Sequence, residues 1–109
     1  MTRRGLGEFE QQVLLTILQL GGEAYSVPMV VELEGRGDRE VSQAAVYIAL
    51  RRMEEKGMVS SRMESPAETG TGRERRYFKV EPEGLALLRE SRRTMDRFWA
   101  GLDTGLEEA

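Results

Sequence analysis

Gln43, Tyr47 and Arg51 stand four residues apart, and downstream Arg73, Arg75, Arg76 and Lys79 crowd a stretch opposed only by Glu74. On a helix, i, i+4 spacing carries three polar heads along one flank. Arg can pair with guanine and Gln with adenine, and a methyl-bearing side chain can touch thymine. Arg also grips phosphate, because its planar fork donates two parallel hydrogen bonds. The residue types therefore suit recognition of a nucleic-acid duplex. A second reading leaves Tyr47 and Ile48 packed against a neighbouring helix.

Other chemistries lack their residues. The 109-residue chain has no Cys and no His, which removes disulfides, thiolate nucleophiles, Cys/His zinc sites and imidazole acid-base catalysis. Thr69-Gly70-Thr71-Gly72 has neither the spacing nor the Lys of a phosphate-binding loop. No enzyme, cofactor or metal is expected. The net charge of −3 argues at first sight against DNA, but its distribution matters more. Residues 1–35 carry two Arg against five Glu, residues 36–80 ten Lys/Arg against seven Asp/Glu, and residues 81–109 four Arg against seven Asp/Glu. Only the middle is positive. No apolar run approaches the ~20 residues of a membrane span, and Met1–Gly5 lacks the apolar stretch of a secretory signal. A cytoplasmic protein is expected.

The elements that must position these residues follow from periodicity. Gly7 to Leu20 reads as a first helix, with Phe9, Val13, Leu14, Ile17, Leu18 and Leu20 as its apolar stripe and Gly21-Gly22 as its stop. Ser26 reads as the N-cap of a short second helix opened by Val27-Pro28, carrying Val30, Val31 and Leu33 and stopping at Gly35-Arg36-Gly37. Ser42 caps a third helix running to Lys56 before Gly57. Its buried face holds Val46, Leu50 and Met53, with Gln43 at the edge, Tyr47 to one side, and Ala44, Ile48 and Arg51 pointing away. Two alternating segments, Met58–Glu64 and Arg75–Val80, flank a polar connection and read as a hairpin. The first puts Val59, Ser61 and Met63 on one side. The connection exceeds the usual 2–5 residues, so a mobile tip is expected. From Pro82, the residues Leu85, Leu88, Arg92, Met95, Trp99, Leu102 and Leu106 follow a heptad seam interrupted by Arg92, widened by Phe98. So short a stripe needs cover from elsewhere, and the tail after Leu106 is expected to fray.

Three helices then a hairpin is the layout of a winged helix-turn-helix, whose third helix enters the major groove while the wing reaches phosphates or the minor groove. The fold class expected is α+β, mainly α: a winged helix-turn-helix domain over residues 1–80 and a C-terminal dimerisation helix with tail over 81–109.

Leu6-Gly7-Glu8-Phe9-Glu10, the run from Ser42 to Val59, and Gly72-Arg73-Glu74-Arg75-Arg76-Tyr77-Phe78-Lys79-Val80 with Gly84 after it resemble PadR-type transcriptional regulators over about residues 6 to 100. Two positions depart from the family pattern: Ala44 stands where Gly is frequent, and Glu81 where Thr usually caps the last helix. The resemblance implies a homodimer in which each C-terminal helix packs on the partner's N-terminal and C-terminal helices. It also implies repression at an inverted-repeat operator, with release by a small molecule. Within this frame Gln43, Tyr47 and Arg51, with Ala44 beside them, are assigned to base edges. Ser42 and Tyr25 are assigned to phosphates at helix N-termini, and Arg73, Arg75 and Arg76 to the wing. Phe9, Val13, Leu88, Met95, Trp99 and Leu102 are assigned to the dimer interface or to a ligand. Trp99 either stacks on a flat aromatic effector or only fills the interface. The rival reading is a winged-helix protein-protein adaptor that binds no DNA.

Overall fold

The computed structural model describes residues 5–102. The chain runs α1 (Glu8–Gln19), β1 (Glu23–Ala24), α2 (Ser26–Gly37), α3 (Gln43–Glu55), β2 (Val59–Glu64), α4 (Pro66–Thr69), β3 (Arg75–Val80) and α5 (Pro82–Trp99). The strands form one antiparallel sheet in the order β1-β3-β2, with Val59 opposite Val80 and Glu64 opposite Arg75. Ala24 pairs with Phe78, so β1 adds an edge strand to the hairpin. This is a winged helix: three helices, a two-stranded wing with a short third strand, and a helix that leaves the body.

Phe78, Leu14, Ile17, Met29, Leu50, Met53, Val13, Val46 and Val59 are fully enclosed and form the core between α1, α2, α3 and the root of the sheet. Burying each such side chain is worth at most ~1.5–3 kcal/mol. Among the described residues Thr16 is the buried polar one, and its hydroxyl donates to the Gln12 carbonyl at 2.7 Å.

Several local expectations need correction. The stripe on α1 puts Leu18 inside, yet Leu15 and Leu18 are 48% and 40% exposed, while Thr16 is covered. On α2, Met29 and Leu33 face the core and Val31 is 69% exposed. That helix is as long as α1, at 12 residues, and ends on Asp38 in the left-handed region (φ 53°). Tyr25, not Ser26, holds its N-cap position, although no side chain closes the cap. Met63 is 44% exposed, because β2 outruns the core it covers at Val59. The connection expected to be a mobile tip contains the turn of helix α4. There Ser65 Oγ accepts from the Glu68 amide (3.3 Å) and Glu68 Oε1 from the Ser65 amide (3.0 Å).

Two junctions fix the wing and the last helix. Gly57 ends α3 at φ +79°, a conformation that strains any residue with a Cβ. Gly84 sits so close to the Met58 carbonyl that a Cβ there would lie 2.4 Å from its oxygen. The same oxygen accepts from the Glu81 amide at 2.9 Å, so α5 begins by docking onto the foot of the wing. Leu88 is buried, and past it no described residue of α5 is. The helix stops at Trp99, followed by Gly101 at φ +80°. Leu102, expected to continue the seam, therefore lies beyond the helix, 49% exposed, and Leu106 lies outside the described residues.

Candidate nucleic-acid interface

Ser42 caps α3 as its type suggests: its Oγ accepts from the Ala45 amide at 3.0 Å. The cap fixes where the helix starts, and the 100° turn per residue then decides which side chains leave the body. Val46, Ala49, Leu50 and Met53 go inward. Ala44, Ile48 and Arg51 are exposed, with Ile48 at 52%. Tyr47 is 39% exposed and leans its ring edge on Phe78 of β3 at 6.0 Å, so it stands between helix and wing. Arg51 reaches back to the Tyr47 hydroxyl at 3.4 Å and to Glu54 at 3.5 Å, with its guanidinium 5.9 Å from the Tyr47 ring. Tyr47 thus takes its orientation from the wing on one side and from Arg51 on the other.

Between α3 and the wing lies a cleft of about 370 Å³. Gln43 and Tyr47 form one wall, Tyr25 and Ser26 the end at the start of α2, and Arg73, Arg75 and Arg76 the opposite wall. Among the sequence-assigned residues this brings together six: Tyr25, Gln43, Tyr47, Arg73, Arg75 and Arg76. Ser42, Ala44 and Arg51 are outside it, on the exposed flank and N-terminus of α3. Ser26, Val27, Thr71 and the acidic Glu74 also border the cleft, and the sequence alone assigns them no part in binding. The Ser26 hydroxyl accepts from Gln43 Nε2 at 3.0 Å, which ties α2 to α3 and orients the Gln43 head.

The three wing arginines are not equivalent. Arg73 is exposed near the tip, and its carbonyl accepts from the Thr69 hydroxyl at 2.8 Å. Arg75 lies over the Tyr25 ring at 4.5 Å. Arg76 turns inward: its Nη1 donates to Ser61 Oγ at 2.9 Å, Ser61 donates to Glu54, and its buried Nε has no protein acceptor. It joins wing to α3.

A second feature lies on the other side of the molecule. Leu15 and Leu18 of α1 and Leu85, Leu88, Met95 and Trp99 of α5 line an open apolar groove of about 670 Å³, rimmed by Gln11, Arg89, Arg92 and Asp96. Of the residues assigned to interface or ligand, Leu88, Met95 and Trp99 meet here. Two do not belong. Val13 is wholly enclosed in the core, out of reach of any partner. Phe9 lies on another flank of α1, in a groove with Arg39, Val41 and Ala45, where Arg39 covers its ring at 5.5 Å. Leu15 and Leu18 belong to the groove without being assigned to it by sequence; the signal for them is that α1 carries more leucines than one buried stripe can hold. Among the described residues, no cluster of acidic side chains is placed to hold a metal, and no helix is long and apolar enough to cross a membrane.

Known proteins share this fold. The fold resembles a PadR family transcriptional regulator from Eggerthella lenta DSM 2243 at 27% identity and a TM-score of 0.69, over 94% of this chain and 88% of that one. A PadR-like transcriptional regulator from Bacillus cereus strain ATCC 14579 aligns at 23% identity and a TM-score of 0.66, over 92% and 88%. F93 from STIV, a winged-helix DNA-binding protein, shares the fold at 11% identity and a TM-score of 0.68, over 90% and 98%. No curated protein sequence matches the chain. The profile of the transcriptional regulator PadR-like family matches residues 14–90, which takes in α2, α3, the whole wing and the docked half of α5. With the winged-helix fold and that match over most of its length, the chain belongs to the PadR-like family of transcriptional regulators.

Proposed function

We propose that this regulator acts as a homodimeric repressor at an inverted-repeat operator. Each protomer places α3 in the major groove, with Gln43, Tyr47 and Arg51 at base edges and Ala44 beside them. Arg73 and Arg75 meet phosphates from the wing, and the N-termini of α2 and α3, at Tyr25 and Ser42, meet the strand between. The observation that carries this reading is the cleft in which Gln43 and Tyr47 of α3 face the arginines of the wing across about 370 Å³. Positive charge and hydrogen-bonding heads converge there in a chain whose net charge is −3.

The apolar groove of Leu15, Leu18, Met95 and Trp99 supports dimerisation, since it exposes large apolar side chains together. Trp99 is 47% exposed in that groove and supports an aromatic effector seated between two protomers. As the sole tryptophan, it reports such binding by its own fluorescence.

The test is a titration of fluorescent promoter DNA from the protein's own locus at two salt concentrations. Tight binding that weakens steeply with salt is expected. Absence of binding at low salt would reject the repressor and favour a protein-protein adaptor. In a dimer structure, recognition helices about 34 Å apart, one turn of DNA, are expected.

A further inference from the structure

The outer face of the sheet carries a stack of alternating charges and rings. Arg62 of β2 donates to both carboxylate oxygens of Glu23 in β1, from Nη2 at 2.8 Å and from Nε at 3.0 Å. Its guanidinium covers the ring of Tyr77, its cross-strand partner, at 4.7 Å. Tyr77 meets Tyr25 edge-on at 5.3 Å and 61°. Tyr25 in turn lies under the guanidinium of Arg75 at 4.5 Å. Arg75 and Tyr77 stand two residues apart on β3, so the pleat turns both to one face. The stack runs from the sheet's edge strand and β2 to the mouth of the cleft.

Arg62 itself is a poor phosphate ligand. Glu23 takes two of its donors, and Glu64 stands 3.6 Å from a third nitrogen. A phosphate would have to displace two carboxylates. Arg75 rests on a ring face instead, which attracts a guanidinium but leaves its donors open. The end of the stack that reaches the cleft is the one able to bind an anion.

We propose that Glu23 and Arg62 are positioning residues for DNA binding: through the stacked rings of Tyr77 and Tyr25 they hold the Arg75 guanidinium at the cleft mouth, where it meets a backbone phosphate. This rests on the reading that duplex DNA enters the cleft. Glu23 lies on the short edge strand and Arg62 on β2, so a pair 39 residues apart in sequence sets the direction in which a third residue points. The Ser26–Gln43 hydrogen bond carries the same frame to α3, so wing and recognition helix share one reference.

The test measures binding to a random-sequence 30-base-pair duplex as a function of salt, with thermal unfolding of each variant alongside. Arg75→Gln is expected to make the log–log salt slope shallower by about 0.9 per protomer, the loss of one phosphate contact. Arg62→Gln is expected to give the same loss, and the double variant no more than either alone. Tyr77→Leu is expected to follow Arg62→Gln, and Tyr77→Phe, which keeps the ring, to bind as the parent does. A purely structural role would lower the unfolding temperature and leave the slope unmoved. An unchanged slope in Arg62→Gln overturns the proposal, and so do slope losses that add in the double variant, since Arg62 would then contact DNA itself. If the parent shows no salt-dependent binding, the reading of the cleft fails first, and that result is distinguishable from the others. Tyr77→Phe guards against variants that only misfold.

Discussion

Replacing Gly84 by alanine tests how α5 is seated. Helix propensity alone favours the change by at most about 1 kcal/mol, the interior cost of glycine, since Gly84 is in the first turn of α5. The packing argues the other way. The new methyl would stand 2.4 Å from the Met58 oxygen, 3.2 Å from its carbonyl carbon and 3.2 Å from Val80 Cγ1. The oxygen cannot retreat freely, since it accepts from the Glu81 amide at 2.9 Å and Met58 is itself buried. Overpacking of this kind costs ~1–3 kcal/mol, and a fixed backbone atom places it at the upper end. Net destabilisation of about 1–2 kcal/mol is expected, which lowers the melting temperature by roughly 5–15 °C for a domain of this size. Circular dichroism melts at fixed protein concentration measure it. Gly35→Ala in α2 is the control: a methyl added there would meet no atom within 4 Å, so a small gain is expected. A Gly84→Ala protein melting at or above the parent temperature would refute the reasoning.

Other outcomes follow from the interface and the groove. Arg51→Ala is expected to cost about 1–3 kcal/mol on the specific operator, and Arg73→Ala to weaken binding to all sequences with a slope shallower by ~1; equal behaviour of the two in competition binding would contradict their separate roles. Leu18→Glu places a charge in the apolar groove but outside the core, so sedimentation should give a folded monomer where the proposed dimer is expected of the parent. The Arg62 hydrogen bond holds the Glu23 carboxyl below the ordinary carboxylate value. Its folded value being depressed, its contribution is complete above the ordinary value of about 4.3 and is lost as pH falls through the folded value. A carboxyl carbon titration by NMR should return Glu23 to the ordinary range in Arg62→Gln; identical midpoints would exclude the coupling.

Helix α3 is legible in the sequence because its evidence is local. Ser42 marks the start, Gly57 the end, and one rotation rule separates Val46, Leu50 and Met53 from Ala44 and Arg51. The α4 turn is equally legible in Ser65-Pro66-Ala67-Glu68, a capping box with proline at its first position, but a long hairpin connection reads as irregular. β1 spans two residues and is too brief for alternation to register. On α1 the period identifies apolar residues without saying what covers them, so Leu18 reads as inside and Leu15 goes unmarked. Glu23, Arg62, Tyr77 and Tyr25 meet only after the edge strand pairs with β3, and nothing local marks residues that distant as partners.

Past Leu88, α5 continues for about three further turns with none of its described residues buried. An isolated helix of that length is marginal in water. Whatever covers Met95 and Trp99 therefore also keeps those turns wound, and winding and capture become one equilibrium. With the proposed second copy as that cover, mass action makes melting temperature rise with the protein's own concentration. Dilution of such a dimer would unwind the arm while leaving the enclosed core around Phe78 intact.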